Sequence, residues 1–395
     1  MSQSGVIAIT GGGTGGHLAI ARALAQELKR REIPVIYIGS LYGQDQMWFG
    51  DQARSVAKSP ARDSAQQDVG AESLPIQSLD SRAESTTPES SNPQNPLFEA
   101  CYFLNTFGVV NKRGLKKLQA LWAQVRALVQ VRAVFARHNV RAVISVGGFS
   151  AGPASIGAIV FRRTLFIHEQ NAIKGTLNTL LSPFATRVFS AFTTPATPYP
   201  LQFATKEHAR IRAEFRHIIF IGGSQGARAV NNLALAIAPT LLKHGIVITH
   251  QCGDKELLRV KEAYENLGIA DSITLFGFDR NLIAHLACAD ICVGRAGASS
   301  VWENAALGLP TLYIPYPYAA KNHQYHNAQY FVQKGLGKLV LEEDLQETSP
   351  EDLAKQILAV LAPIVDNIES ISQGLLALSA QNGAQMIIDE VISMR

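Results

Sequence analysis

Three short segments of this chain hold side chains and turns suited to a phosphorylated ligand. The first is Gly11-Gly12-Gly13-Thr14-Gly15-Gly16-His17, which follows the apolar run Val6–Thr10. Gly11, Gly13 and Gly16 fit the G-x-G-x-x-G spacing of a dinucleotide loop. Such a loop needs an acid at the end of the next strand to bind a ribose, yet that run ends Ile38-Gly39-Ser40, with no acid before Asp45. This counts against a nicotinamide cofactor. Thr14, Gly15 and Gly16 instead offer backbone N–H groups at a helix start, where negative charge is stabilised. His17 is expected to face a cleft, either as a turn cap or as an acid–base group working near neutral pH.

The second segment is Gly222-Gly223-Ser224-Gln225-Gly226-Ala227, after the apolar run His217–Ile221. It lacks a Walker lysine. Ser224 is placed to donate to a phosphate oxygen, or the glycines form a plain tight turn. The third runs from Asp290 to Tyr318. Its small residues Ala298, Ser299 and Ser300 open a helix that continues through Val301, Trp302 and Glu303, so a diphosphate can approach closely. Glu303, one turn in, is positioned to accept two ribose hydroxyls. A dipole-favoured acid would explain Glu303 but not the flanking loop. Downstream, Asn322-His323-Gln324-Tyr325-His326-Asn327 offers amides suited to neutral sugar hydroxyls. His168-Glu169-Gln170-Asn171 ends another apolar run. There His168 and Glu169 read as a hydrogen-bonded supporting pair, and Asn171 as the ligand contact.

These segments need elements to hold them. The order apolar run, glycine turn, helix, apolar run occurs at Val6–Ile38 and again at His217–Thr249. That repetition predicts an α/β protein of two Rossmann-like, doubly wound parallel-sheet domains facing across a cleft. The first domain is expected over 1–200 and the second over 201–382, joined at the proline-rich Thr193–Pro200. A flexible insertion is expected over 51–96, where large aliphatics are sparse. A long amphipathic helix or helix pair is expected over 112–138, and an amphipathic helix over 383–395 that packs back on the first domain.

The 395-residue length fits two domains, and 47% apolar residues suffice for buried sheets. A net charge of +4 does not imply bulk nucleic-acid binding. Cys101, Cys252, Cys288 and Cys292 include no C-x-x-C pair, and read as reduced core residues of a cytosolic protein rather than a metal site. The uncharged run Ala142–Phe161 is broken by glycines and Pro153, so a turn and helix fit it better than a membrane span. Between Ala100 and His168 there is no acid but there are ten Lys or Arg residues. Leu97, Phe98, Tyr102, Phe103, Leu104, Phe107 and Trp122 flank or interleave them. Such a face suits anionic headgroups, although an ordinary solvated helix competes as a reading.

At these motifs the chain resembles a bacterial family, the MurG-type UDP-N-acetylglucosamine–N-acetylmuramyl-(pentapeptide) pyrophosphoryl-undecaprenol N-acetylglucosamine transferases. The resemblance rests on GGTGGH at 12–17, GGFSAGP at 147–153, HEQN at 168–171, GGSQGA at 222–227, RAGASSVWE at 295–303, GLP at 308–310 and HQYHNA at 323–328. It implies a GT-B glycosyltransferase that moves N-acetylglucosamine from UDP-GlcNAc to the muramyl 4-hydroxyl of lipid I, with inversion, giving lipid II. An epimerase acting on UDP-GlcNAc at C2 is the alternative of like architecture. By the same resemblance, His17 is the general base and Thr14, Gly15 and Gly16 lie near the diphosphate and acceptor. Asn171 and Gln324 meet the sugar, Ser224 a phosphate and the Phe278 backbone the uracil. Ala298, Ser299, Ser300, Val301, Trp302 and Glu303 hold diphosphate and ribose. No bound metal is expected to be essential, with Mg²⁺ at most stimulatory. The enzyme is expected at the cytoplasmic face of the inner membrane, bound peripherally. Gln202 stands where the family usually has an arginine.

Overall fold

The computed structural model describes residues 5–51, 53–58, 96–106, 115–223, 226–279, 281–345 and 349–394. The first sheet contains β1 (Val6–Thr10), β2 (Val35–Ser40), β3 (Ala53–Lys58), β4 (Phe98–Leu104), β5 (Val140–Ser145), β6 (Thr164–Glu169) and β7 (Arg187–Ser190). Its seven strands run parallel in the order β3-β4-β2-β1-β5-β6-β7. The second sheet contains β8 (His217–Ile221), β9 (Val247–Gln251), β10 (Ile273–Phe276), β11 (Ile291–Gly294), β12 (Thr311–Tyr313) and β13 (Lys338–Leu339). These are also parallel, in the order β10-β9-β8-β11-β12-β13. Strands covered on both faces must be largely apolar, which is why β1, β2, β5 and β8 read as predominantly apolar runs. The fold is GT-B: two such units, each crossing its strands with helices.

The helices of the first half are α1 (Gly15–Arg30), α2 (Asp45–Phe49), α3 (Leu115–Arg137), α4 (Gly152–Val160) and α5 (Thr176–Leu181). Then come α6 (Phe203–Glu207), α7 (Arg228–Lys243), α8 (Leu257–Asn266), α9 (Leu282–Cys288) and α10 (Ala298–Leu307). The chain closes with α11 (His323–Val332), α12 (Pro350–Asp366), α13 (Ile368–Leu378) and α14 (Gly383–Met394). α14 lies on α1. Arg31 bonds both Glu27 of α1 and Asp389 of α14, each at 2.5 Å, and Arg187 reaches Glu390 at 3.2 Å. Between the sheets, Tyr199 stacks on Trp302 with ring centroids 5.8 Å apart, and Phe192 meets Trp302 edge-on. One aromatic cluster therefore forms part of the junction.

Three expectations from sequence require correction. The segment expected to be a flexible insertion opens with β3, which pairs in parallel with β4; residues 59–95 of it lie outside the described residues. The apolar residues Phe98, Tyr102, Phe103 and Leu104 form that β4 and are buried in the sheet, so they are not a membrane-facing surface. Leu97 is buried beside them, and Phe107 lies outside the described residues. Trp122 differs, being 64% exposed on α3. Finally, Cys288 is exposed at the end of α9, whereas Cys101, Cys252 and Cys292 are buried; all four are free thiols.

Candidate functional site

The site is built at the carboxyl ends of the strands, where the turns of the two sheets converge. After β1 the chain turns through Gly11 to Gly13 and enters α1 at Gly15. Gly12 donates its N–H to Gly147 O at 3.1 Å, so the turn after β1 rests on the turn after β5. The fit is tight: a Cβ at Gly148, where φ is +81°, would lie 2.1 Å from Gly12 O. No larger residue fits there without separating the two turns.

Asp45, at the start of α2, braces the same turn. It is fully buried, and its two carboxylate oxygens accept the Gly13 N–H at 3.0 and 2.9 Å. The Tyr37 hydroxyl lies 2.8 Å from Gly11 O and 3.4 Å from Asp45. Burial pushes the Asp45 carboxyl up to about 6. The acid that is too far along the sequence to bind a ribose thus holds the turn from within.

His17 follows on α1. Its Nε2 lies 3.0 Å from Gln170 Nε2 and its Nδ1 lies 2.8 Å from Thr14 Oγ1. With the Gln170 amide donating to Nε2, the ring proton sits on Nδ1 and is donated to Thr14. Burial, reinforced by the nearby His323, pulls the His17 pKa down to about 4. The ring is therefore neutral at pH 7, the form a general base requires.

Gln170 and Asn171 come from the turn after β6. Glu169 holds that turn, accepting from Asn171 N at 3.0 Å, Gly175 N at 2.8 Å and Asn178 Nδ2 at 2.8 Å. His168 is buried beside Tyr199, with ring centroids 5.7 Å apart. Its ring nitrogens have no hydrogen-bond partner, so the supposed His168–Glu169 pair does not form. Glu169 supports the loop rather than its neighbour.

From the second domain, α10 points its first turn at α1. Ser299 Oγ donates to Gly16 O at 3.3 Å and lies 3.1 Å from the Tyr199 hydroxyl. Between the two helix starts is a cavity of about 290 Å³. Thr14, Gly16, Gln170 and Asn171 line it from the first domain, and Gly297, Ala298, Ser299, Ser300, His323 and Gln324 from the second. Gln324 Oε1 accepts from Tyr316 N at 3.0 Å, leaving its NH₂ group for a ligand. Ahead of α11, Lys321 and Asn322 hold φ of 53° and 52°, and Lys321 Nζ donates across the cleft to Lys174 O at 3.1 Å. Left-handed backbone at two successive non-glycine residues is strained, which fits a segment held by contacts on both sides.

Other residues singled out in the sequence lie outside this cavity. Val301 and Trp302 turn their side chains into the core, so only their backbone is available to a diphosphate or ribose. Glu303, one turn along, is partly exposed, and burial raises its carboxyl to about 7. The Phe278 side chain is 56% exposed after β10. Gly15 sits at the start of α1, Gln202 immediately precedes α6 without a side-chain capping bond, and Ser224 lies outside the described residues. Arg295 turns away from any phosphate: it pairs with Glu342 at 2.6 Å and donates to Ile314 O and Pro315 O, both at 3.1 Å.

Sequence reasoning missed Gln251, at the carboxyl end of β9. Its Oε1 accepts from Gly223 N at 2.9 Å, and its Nε2 donates to Gly223 O at 3.1 Å and Gly277 O at 2.7 Å. It therefore ties the glycine turn after β8 to the residue preceding Phe278. The available signal was a long polar residue closing an otherwise apolar strand at the ligand-bearing edge.

Comparison with known proteins agrees with this geometry. The chain matches the glycosyltransferase family 28 N-terminal domain over residues 7–58 and 75–190, and the C-terminal domain of that family over 217–391. A Helicobacter hepaticus protein named UDP-N-acetylglucosamine–N-acetylmuramyl-(pentapeptide) pyrophosphoryl-undecaprenol N-acetylglucosamine transferase is 43% identical, covering 98% of this chain and 99% of the relative. A protein of the same name from Campylobacter fetus is 42% identical over the same shares. Among solved structures, Acinetobacter baumannii MurG superposes with a TM-score of 0.69 at 22% identity, covering 99% and 100% of the two chains. A putative UDP-N-acetylglucosamine 2-epimerase from Listeria monocytogenes gives 0.59 at 13% identity over 99% and 96%. At such identities the structural matches speak to fold alone, and the two architectures do not separate the activities. The curated relatives do: this chain belongs to the glycosyltransferase family 28 enzymes that transfer N-acetylglucosamine from UDP-GlcNAc to lipid I.

Proposed function

We propose that the cleft carries out this transfer by a single displacement with inversion, forming lipid II, and that His17 is its base. The observation that carries the reading is a neutral, desolvated imidazole beside a cavity walled by helix starts from both domains. The acceptor hydroxyl attacks the anomeric carbon from the first-domain side and the glycosyl–phosphate bond breaks as UDP leaves. His17 Nε2 takes the hydroxyl proton, so the acceptor must displace the Gln170 amide now hydrogen-bonded there. N–H groups at the start of α10, with Ser224, meet the leaving diphosphate where its charge grows. Glu303 accepts from the ribose hydroxyls, the Phe278 backbone reads the uracil, and Gln324 and Asn171 hold the sugar. With helix starts supplying the positive field, no bound metal is essential and Mg²⁺ serves at most as a stimulant.

The acceptor is lipid-linked, so the first domain must meet a membrane. No helix among the described residues is long and apolar enough to cross one. Trp122, Val125 and Val129 are exposed and follow one face of α3, with exposed Arg126 and Arg132 beside them. Ala127, Val131 and Phe135 occupy the opposite, buried face. The apolar stripe with its basic rim suits an anionic surface, reading as peripheral attachment at the cytoplasmic face of the inner membrane. Sedimentation with vesicles tests this: binding should need anionic lipid and weaken with salt, and binding indifferent to both would contradict it.

Incubation with labelled UDP-GlcNAc, with and without lipid I, separates the activities. Transfer predicts UDP release coupled to labelled lipid only when lipid I is present. Turnover of the nucleotide sugar to a C2 epimer without lipid would favour the epimerase reading.

A further inference from the structure

Asn327 lies one turn into α11 and is wholly buried, yet its carboxamide reaches both domains. Its Oδ1 accepts the N–H of Ala172, in the turn after β6, at 2.8 Å. Its Nδ2 donates to Asn171 Oδ1 at 3.2 Å and to Ala296 O, just ahead of α10, at 3.1 Å. The amide can sit only one way round, because the Ala172 N–H only donates and the Ala296 carbonyl only accepts. The acceptor oxygen and both donor hydrogens each have a partner. One side chain thus ties the HEQN turn of the first domain to the helix start that meets the diphosphate in the second.

The consequence falls on Asn171. Its own Oδ1 is turned toward Asn327 and already accepts from it, so the group its carboxamide turns away from Asn327 is NH₂. We propose that Asn327 is a positioning residue that fixes Asn171 across the cleft as a hydrogen-bond donor. The ligand atom Asn171 meets is then an acceptor oxygen of the donor sugar, a hydroxyl lone pair or the acetamido carbonyl. Asn327 thereby couples closure of the domains to recognition of the sugar rather than of the nucleotide. This proposal rests on the transferase reading.

The test compares affinity for UDP and for UDP-GlcNAc by titration calorimetry in the wild type, Asn327→Ala, Asn171→Ala and the double variant. Thermal unfolding checks each fold, and Asn327→Ser replaces the alanine variant should that one not fold. UDP affinity should stay within about twofold, because UDP has no sugar for Asn171 to hold. UDP-GlcNAc affinity should fall about tenfold in Asn327→Ala, the scale of one hydrogen bond to a neutral partner. The double variant should be no weaker than Asn171→Ala alone, since the two act as a unit. Asn327→Asp is isosteric but cannot donate to Asn171, so it should not restore sugar affinity. Equal losses for UDP and UDP-GlcNAc, multiplying effects in the double variant, or wild-type affinity in Asn327→Asp would each overturn the proposal. A wild type that binds UDP but not UDP-GlcNAc would overturn the transferase reading together with it.

Discussion

The two glycine turns of this enzyme look alike in sequence but are braced by opposite chemistry. After β1, the Gly13 N–H is held by the buried carboxylate of Asp45. After β8, the Gly223 N–H is held by the neutral carboxamide of Gln251. A carboxylate behind the first turn occupies the place an anion would take and disfavours a second negative charge nearby. The neutral amide behind the second adds no such charge and also fixes the segment before Phe278. In the proposed mechanism the same βα turn becomes a mount for the base on one side and a seat for a nucleoside diphosphate on the other. What distinguishes them is the residue behind the turn, not the glycines in it.

The largest effect should come from the base side. His17→Ala should leave UDP-GlcNAc affinity intact and lower kcat at least tenfold, toward the ~10²-fold or more usual for a lost general base. Near-normal turnover measured under saturating lipid I would remove His17 from that role. Next are the braces. Gln251→Glu sets a carboxylate against two carbonyls and should weaken UDP binding by about tenfold or more, whereas Asp45→Asn should leave UDP affinity within about twofold while lowering kcat several-fold. Calorimetry on UDP together with steady-state kinetics reads both. Equal loss of UDP affinity in the two variants would erase the distinction between the turns.

The pH dependence sharpens the nucleotide side. The Glu303 carboxyl is raised to about 7 by burial. Below that pH it is protonated, and above it a carboxylate can accept from both ribose hydroxyls. UDP affinity should therefore rise by roughly tenfold between pH 6 and pH 8, following the ionised fraction. Glu303→Gln should flatten that rise; an unchanged slope would assign it to another group. The smallest effect expected is that of a chelator. Activity should stay within about twofold without added Mg²⁺, and complete loss restored only by metal would show that helix starts alone do not hold the leaving group.

The motifs and most strands were legible because each has a local cause. Buried parallel strands require largely apolar runs, and the glycine turns sit at their ends. Edges and partners were less visible. β3, Ala-Arg-Ser-Val-Ala-Lys, alternates small and polar residues at a sheet edge and carries no strong strand signal. The aromatic residues of β4 suit a sheet interior or a membrane face equally well, and only the tertiary fold decides. The braces depend on contacts far along the chain: Asp45 is 32 residues from Gly13, Gln251 is 28 from Gly223 and Asn327 is 156 from Asn171. No periodicity or motif announces such pairs. The polar character of Gln251 and Asn327 was visible, but the partners that give it meaning were not.

A crystal structure with UDP-GlcNAc bound tests the division between the two turns most directly. The diphosphate should lie between the glycine turn after β8 and the N–H groups of Ala298 to Ser300, with the sugar between Asn171 and Gln324 and Asp45 still bonded to Gly13. A diphosphate seated instead on Gly13 to Gly16, with Asp45 displaced, would contradict it.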